Sequence, residues 1–298
     1  MRDFRDKQVL LTGAASGIGR ALALQLAQAG AQLWLADIDR PGLSGLQDEL
    51  SKQGAECRTT VCDLTQRAEV HHLADRVLEE WGGVDLLINN AGVAFYGPTH
   101  SMTEAQCDRV LNLNLLAPVH LTQRLLPAML QRSEAHLVNM CSIAGLVPGG
   151  RFNAYATSKF GLYGHTQALR AEYGRKGLGV TAICPGPVAT PLYARAECNH
   201  QQHAPLPPRW VCASPERVAE LTLWAIRRNR RQQLVTPLAH LLYQVQSLAP
   251  WFLDFLQTFS RRRLPRWLGG KPPKAAEHAQ TPPTVAEIPV SGAARRVA

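Results

Sequence analysis

Tyr155 and Lys159 stand four residues apart in the run Asn153-Ala-Tyr-Ala-Thr-Ser-Lys-Phe-Gly161, and Ser142 precedes the tyrosine by thirteen. On a helix that spacing puts phenol and ammonium on one face, one turn apart. A free phenol has a pKa of about 10, too high for a base near neutrality, and a fixed positive charge beside it favours the phenolate. The pair is therefore suited to proton transfer. Ser142 would hold a carbonyl or alcohol oxygen beside the phenol. Such a device also needs a hydride donor or acceptor, and the amino end of the chain offers a place for one.

There the apolar run Gln8-Val-Leu-Leu-Thr12 leads into Gly13-Ala-Ala-Ser-Gly17-Ile-Gly19 and then the helical pattern Ala21, Leu22, Leu24, Leu26, Ala27. Strand, glycine turn and helix in that order present free N–H groups and a positive dipole end to a pyrophosphate. Gly13 permits the turn, Gly17 lets the backbone approach the phosphates, and Gly19 lets helix and strand pack. The spacing is GxxxGxG, so the commoner GxGxxG fingerprint is matched in mechanism and not in letter. A second apolar run, Gln32-Leu-Trp-Leu-Ala36, ends on Asp37, about 20 residues beyond the glycines, where a ribose-binding carboxylate belongs. Asp37 would accept from both ribose hydroxyls and repel a 2′-phosphate, and Ser16 adds no compensating positive charge. The expected cofactor is NAD rather than NADP, with the nearby Arg40 as the residue that argues the other way.

With these pieces together the chain resembles the short-chain dehydrogenase/reductase family, over about residues 6 to 240. Thr12 to Gly19 matches its TGxxxGxG turn, Asp63 in Cys62-Asp-Leu-Thr65 its adenine-contacting aspartate, and Asn89-Asn-Ala-Gly92 its NNAG element. Asn114, Ser142, Tyr155 and Lys159 match its catalytic tetrad, with Asn112 a rival for the asparagine. The segment from Pro185-Gly186 through Val188 to Thr190 matches the stretch that closes over the nicotinamide. The resemblance implies cofactor contacts from Gly13, Ser16, Gly17, Ile18, Gly19, Asp37, Asp63, Leu64, Asn90, Ala91, Gly92, Tyr155, Lys159, Pro185, Gly186, Val188 and Thr190. It also implies the roles: Tyr155 as general acid/base, Lys159 on the nicotinamide ribose lowering the phenol's pKa, Ser142 on the substrate oxygen, Asn114 anchoring a water. For Asp63 a helix N-cap is the competing use.

The elements that must carry these residues follow from the pattern. Apolar runs near Gln8, Gln32, Glu56, Asp85, His136, Gly179 and Gln233 alternate with helical stretches, which argues for an α/β fold with one doubly wound parallel sheet of about seven strands. The ligand then lies at the carboxyl edge of the sheet. The expected organisation is a Rossmann-type catalytic domain over 1–237 with a substrate lid at 191–213, an amphipathic helical extension over 238–270, and a disordered tail over 271–298. Ser101, Phe95, Tyr96, Leu146 and Val147 are expected to line an apolar pocket, pointing to a lipophilic alcohol, ketone or aldehyde.

The net charge of +9 is uneven: residues 1 to 208 hold 18 basic and 18 acidic side chains, and residues 209 to 298 hold 14 and 5. Arginines at 227–231 and 261–266 flank the apolar positions Leu238, Leu241, Leu242, Val245, Leu248, Trp251, Phe252 and Phe255, a pattern that suits an interfacial contact with anionic membrane. Packing on the active-site mouth or on a second subunit suits it too. The arginines flank apolar helices instead of a polar groove, so nucleic acid is not an expected partner. Seven cysteines without framework spacing suggest free thiols and a cytoplasmic, reducing setting. Cys198, His200 and His203 are too few for a metal site, and no metal is expected. By resemblance the helices around 104–131 and 153–175 pair subunits into a homodimer or homotetramer. Two other functions compete with an alcohol/carbonyl oxidoreductase: a 3-ketoacyl-thioester reductase meeting an acidic carrier, and a catalytically silent NAD-sensing scaffold.

Overall fold

Seven apolar runs form strands β1 (Gln8–Thr12), β2 (Gln32–Asp37), β3 (Cys57–Val61), β4 (Leu86–Asn89), β5 (Ala135–Met140), β6 (Leu178–Cys184) and β7 (Gln232–Leu234) in the computed structural model, which describes residues 1–198, 204 and 207–255. The strands make one sheet in the order β3-β2-β1-β4-β5-β6-β7, every neighbouring pair parallel. A parallel sheet covered on both faces buries its strands completely, and β4, β5 and β6 are buried along their whole length. That is why they read as apolar runs and not as alternating patterns.

Helices cover both faces: α1 (Gly17–Gln28), α2 (Arg40–Lys52), α3 (Arg67–Trp81), α4 (Glu104–Leu111), α5 (Ala117–Met129), α6 (Asn153–Tyr173), α7 (Pro215–Arg227) and α8 (Pro237–Leu248). On one face Leu22 and Leu26 of α1 pack with Val218 and Ile226 of α7 against Val9 and Leu11. On the other, Val70 and Leu73 of α3 and Leu121 and Leu125 of α5 pack against Leu10, Leu87 and Leu137. Each such leucine contributes on the order of 2 kcal/mol on burial. Strand order reverses between β1 and β4, so the loops leaving their carboxyl ends part and open a crevice. The expected doubly wound sheet is the observed one.

The chain divides into two compact units, Met1–Pro250 and Trp251–Ala298. The first contains α8, whose Ala239 and Tyr243 pack with Leu146, Leu162 and Tyr163. Of the second, the described residues 251–255 are helical. The tail expected at 271–298, the arginines at 261–266, and His200 and His203 of the expected lid lie outside the described residues. No helix among the described residues is long and apolar enough to cross a membrane.

Candidate functional site

The crevice is a cavity of about 350 Å³ at the carboxyl edge of the sheet. Its nucleotide half is built by the β1–α1 turn. Gly13 takes φ +66° because the chain must reverse there, and a Cβ would stand 2.7 Å from the Ala91 Cα. Gly19 is excluded from the cavity lining; a Cβ on it would fall 1.9 Å from the Gly13 carbonyl oxygen, so its absence lets α1 close on β1. Ser16, Gly17 and Ile18 line the cavity where α1 begins, with Thr190 packed over Gly17. Asp37 at the end of β2 also lines it; one carboxylate oxygen accepts from the Ala15 amide at 2.9 Å and the other from Asp39 at 3.0 Å. Arg40 opens α2 as an exposed residue and is not part of the lining.

Asp63 and Leu64 line the same end, together with Cys62 and Ile38. Asp63 does not cap α3, which begins after Gln66; its carboxylate accepts from the Thr65 amide at 2.9 Å and the Thr65 hydroxyl at 2.8 Å. Asn90, Ala91 and Gly92 form the floor. The Asn90 side chain donates to the Thr12 and Gly13 carbonyls at 3.0 Å, which fixes the glycine turn to the end of β4. Below it Asn89 donates to Asn139 at 2.8 Å, and Asn139 donates to Thr166 of α6 at 2.8 Å. This buried amide chain ties the nucleotide half to the helix that carries the reacting half.

Ser142 follows β5, and its Oγ accepts from the Ala144 amide at 3.1 Å. Its hydroxyl lies near enough to the Tyr155 phenol to favour the phenolate form. Tyr155 and Lys159 lie one turn apart on α6, the Lys159 Nζ 5.7 Å from the phenol ring centroid. Gly145 brings loop and helix together: a Cβ there would stand 2.6 Å from the Lys159 carbonyl oxygen. Lys159 Nζ donates to the Met140 carbonyl at 2.7 Å. Burial pulls this amine down to about 8, a shift partly offset by the Cys141 and Cys184 thiols. The phenol departs from expectation. Burial raises it above the ordinary tyrosine value, and the group that offsets this is Ser142 and not Lys159. The ammonium donates to the Met140 carbonyl and is not among the groups that shift the phenol.

Asn114 does not line the cavity. It sits in a π-helical turn, Asn112–Leu116, between α4 and α5, fully buried, accepting from the Val93 amide at 2.9 Å and donating to the Val93 carbonyl at 2.8 Å. Its Oδ1 and the Lys159 Nζ both lie near Gly92, 3.2 and 3.6 Å from where a Cβ would be. Pro185, Gly186, Val188 and Thr190 close the far side, and the Pro185 carbonyl accepts from the Ile143 amide at 2.8 Å.

The expected substrate walls differ from those observed. Ser101, Phe95, Tyr96, Leu146 and Val147 do not line the cavity. Phe95 is buried with Val110 and Ala154, Ser101 donates to the Pro98 carbonyl at 2.8 Å, and Leu146 and Val147 turn to the cluster beneath α8. The lining comes instead from Ala94, Ile143, Ala144, Phe152, Leu192 and Tyr193. Phe152 stacks between Tyr96 and Tyr155, and Leu192 and Ala196 pack into the same cluster. The lid segment is fastened by a parallel bridge between Phe95 and Glu197 and by an Arg109–Glu197 ion pair. These contacts join residues distant in sequence, and no local pattern announces them.

Comparison with known proteins agrees with this fold. The family model for short chain dehydrogenases matches residues 7–201, and the chain belongs to that family. It is 35% identical over 196 residues to the CLA biosynthesis dehydrogenase/reductase of Lactiplantibacillus plantarum, covering 65% of this chain and 68% of that one. A short chain dehydrogenase/reductase from Burkholderia phymatum in complex with NAD is similar with a TM-score of 0.75 and 31% identity, over 83% of this chain and 95% of that chain. A metagenomic short-chain oxidoreductase in complex with NADP is similar with a TM-score of 0.67 and 28% identity, over 78% and 97%. The chain is thus an oxidoreductase of this family, and these two similar structures hold NAD and NADP respectively.

Proposed function

We propose that this oxidoreductase uses NAD to interconvert an apolar alcohol and its ketone or aldehyde. The observation that carries the reading is Ser142 and Tyr155 together on the cavity wall, with Lys159 one helical turn beyond the phenol. The glycine turn whose Cβ positions are already filled, and the carboxylate of Asp37 facing the same cavity, fit a dinucleotide. The nicotinamide would supply or take the hydride. Ser142 and Tyr155 would together hold the substrate oxygen, and Tyr155 would pass a proton to it in reduction or remove one in oxidation. A phenol raised by burial is fully protonated near neutrality, which suits the donor role. Asn114 would act by holding the Val93 backbone against the cavity floor.

Asp37 supports NAD, since its carboxylate would repel a 2′-phosphate and Arg40 is absent from the lining. The walls of Ala94, Ile143, Phe152 and Leu192 support an apolar substrate. The test is absorbance at the nicotinamide wavelength with both cofactors over a panel of apolar alcohols and ketones. Turnover with NAD at the lower KM is expected. A KM about tenfold lower for NADP would overturn the cofactor assignment, and silence across the panel with tight NAD binding would favour a sensor.

A second reading concerns partners. Leu241 and Leu248 of α8 are 58% and 84% exposed while the opposite side packs on the catalytic unit, and Arg227, Arg228, Arg230 and Arg231 lie exposed at the end of α7. That combination supports peripheral contact with anionic lipid by a cytoplasmic protein. Leu116 and Phe160, 41% and 42% exposed beside α5 and on α6, support pairing with a second copy.

A further inference from the structure

Two thiols stand behind the reacting pair with no part in the chemistry above. Register pairs Met140 of β5 with Ile183 of β6, so the next residues, Cys141 and Cys184, come side by side at the strands' ends. Neighbouring strands run about 4.8 Å apart, inside the Cα separation of about 4.4–6.8 Å that a disulfide spans. The two side chains share one small buried cluster, and both are free thiols. Cys141 is buried but is also among the residues lining the cavity, the side from which a small oxidant would reach it.

Electrostatics single out this thiol. Burial alone would raise Cys141, but the Cys184 thiol, the Lys159 ammonium and the Thr166 hydroxyl together bring it below the ordinary cysteine value. Cys62, the other cysteine lining the cavity, has the opposite surroundings: burial, Glu69, Asp37 and Asp63 push it up to about 12. Nucleophilic sulfur is thiolate, so an oxidant in the cavity discriminates between the two.

We infer that Cys141 and Cys184 form a peroxide-sensitive modification site that closes to a disulfide and disables the reacting pair, an inference that rests on the oxidoreductase reading for its consequence. The Cys141 thiolate attacks one oxygen of hydrogen peroxide, breaking the O–O bond and giving a sulfenic acid and hydroxide, which takes a proton to become water. Cys184 sulfur then attacks the sulfenic sulfur, forming the S–S bond and releasing a second water as its thiol proton leaves with the hydroxyl. Two thiols are oxidised and one peroxide is reduced to two waters. The new bond draws Cys141 toward β6, and Ser142, its neighbour in the chain, moves with it.

The test treats the whole reduced chain with hydrogen peroxide, blocks remaining thiols with an alkylating agent and maps the peptides. A Cys141–Cys184 disulfide is expected, with turnover falling by about a hundredfold through displacement of the serine and returning on reduction with dithiothreitol. Cys184→Ser and, as a second variant, Cys184→Ala should keep the activity of the untreated chain and stop Cys141 at the sulfenic acid. Oxidation centred on Cys62 or on another cysteine, or activity unchanged with the disulfide formed, would overturn the proposal. The disulfide map is read whatever the activity, so a chain that turns over no alcohol would sink the oxidoreductase reading and leave the modification site standing.

Discussion

At the scale of single residues, the chemistry-bearing side chains were legible because few residue types can do the work. A phenol, an ammonium a turn away and a hydroxyl upstream form a constraint that Tyr155, Lys159 and Ser142 meet, and the structure brings them together. What the sequence concealed was the lysine's hydrogen-bond partner: the Met140 carbonyl lies at the end of β5, on a different element from Lys159. His136 was equally hidden. It is fully buried in β5, its Nε2 2.8 Å from the Thr181 hydroxyl, and burial lowers it from 6.5 to about 3. The unfolded chain binds a proton below 6.5 that the folded histidine refuses until about 3. Its contribution is therefore complete above 6.5 and is lost as the pH falls, by up to about 1.4 kcal/mol per pH unit. Urea midpoints of the wild-type chain should drop between pH 6.5 and 5, and His136→Gln should flatten that slope. An identical slope in the variant would contradict the assignment.

At the scale of elements, strands and glycine turns were legible because burial on both faces and the phosphate turn each impose a pattern on consecutive residues. The pocket walls were not, since Phe152 just precedes α6 while Leu192 and Tyr193 come from the loop after β6. The π-helical turn that buries Asn114 was also invisible, as nothing in Asn-Leu-Asn-Leu-Leu distinguishes it from a regular helix. Loop and helix meet at Gly145, whose missing Cβ leaves room for the Lys159 carbonyl. Gly145→Ala places a methyl 2.6 Å from that oxygen, so α6 must shift. The expected outcome is a stability loss of about 1–3 kcal/mol and a kcat loss of about tenfold or more with cofactor affinity little changed. Unchanged kcat in a folded variant would show that the approach of loop to helix does not position the pair.

For the whole molecule, the charge divides into a neutral first two thirds and a basic remainder, and this division could be read from the sequence alone. Which surface the basic part meets could not, because an apolar helix face serves a lipid, a subunit or its own domain equally well. The fold answers for one side of α8, which packs on the catalytic unit. Flotation with vesicles of phosphatidylserine and phosphatidylcholine should carry the full chain upward at low salt, and Leu241→Glu with Leu248→Glu should abolish this. Equal flotation of the variant would assign the exposed leucines elsewhere. The account as a whole rests on one molecule holding a dinucleotide in one half and a proton-transferring phenol in the other. Replacing Tyr155 by Phe, and measuring turnover and NAD affinity on the same preparation, tests that union most directly. The account predicts kcat lower by about a hundredfold or more with the NAD dissociation constant nearly unchanged, and a variant that turns over at the wild-type rate would contradict it.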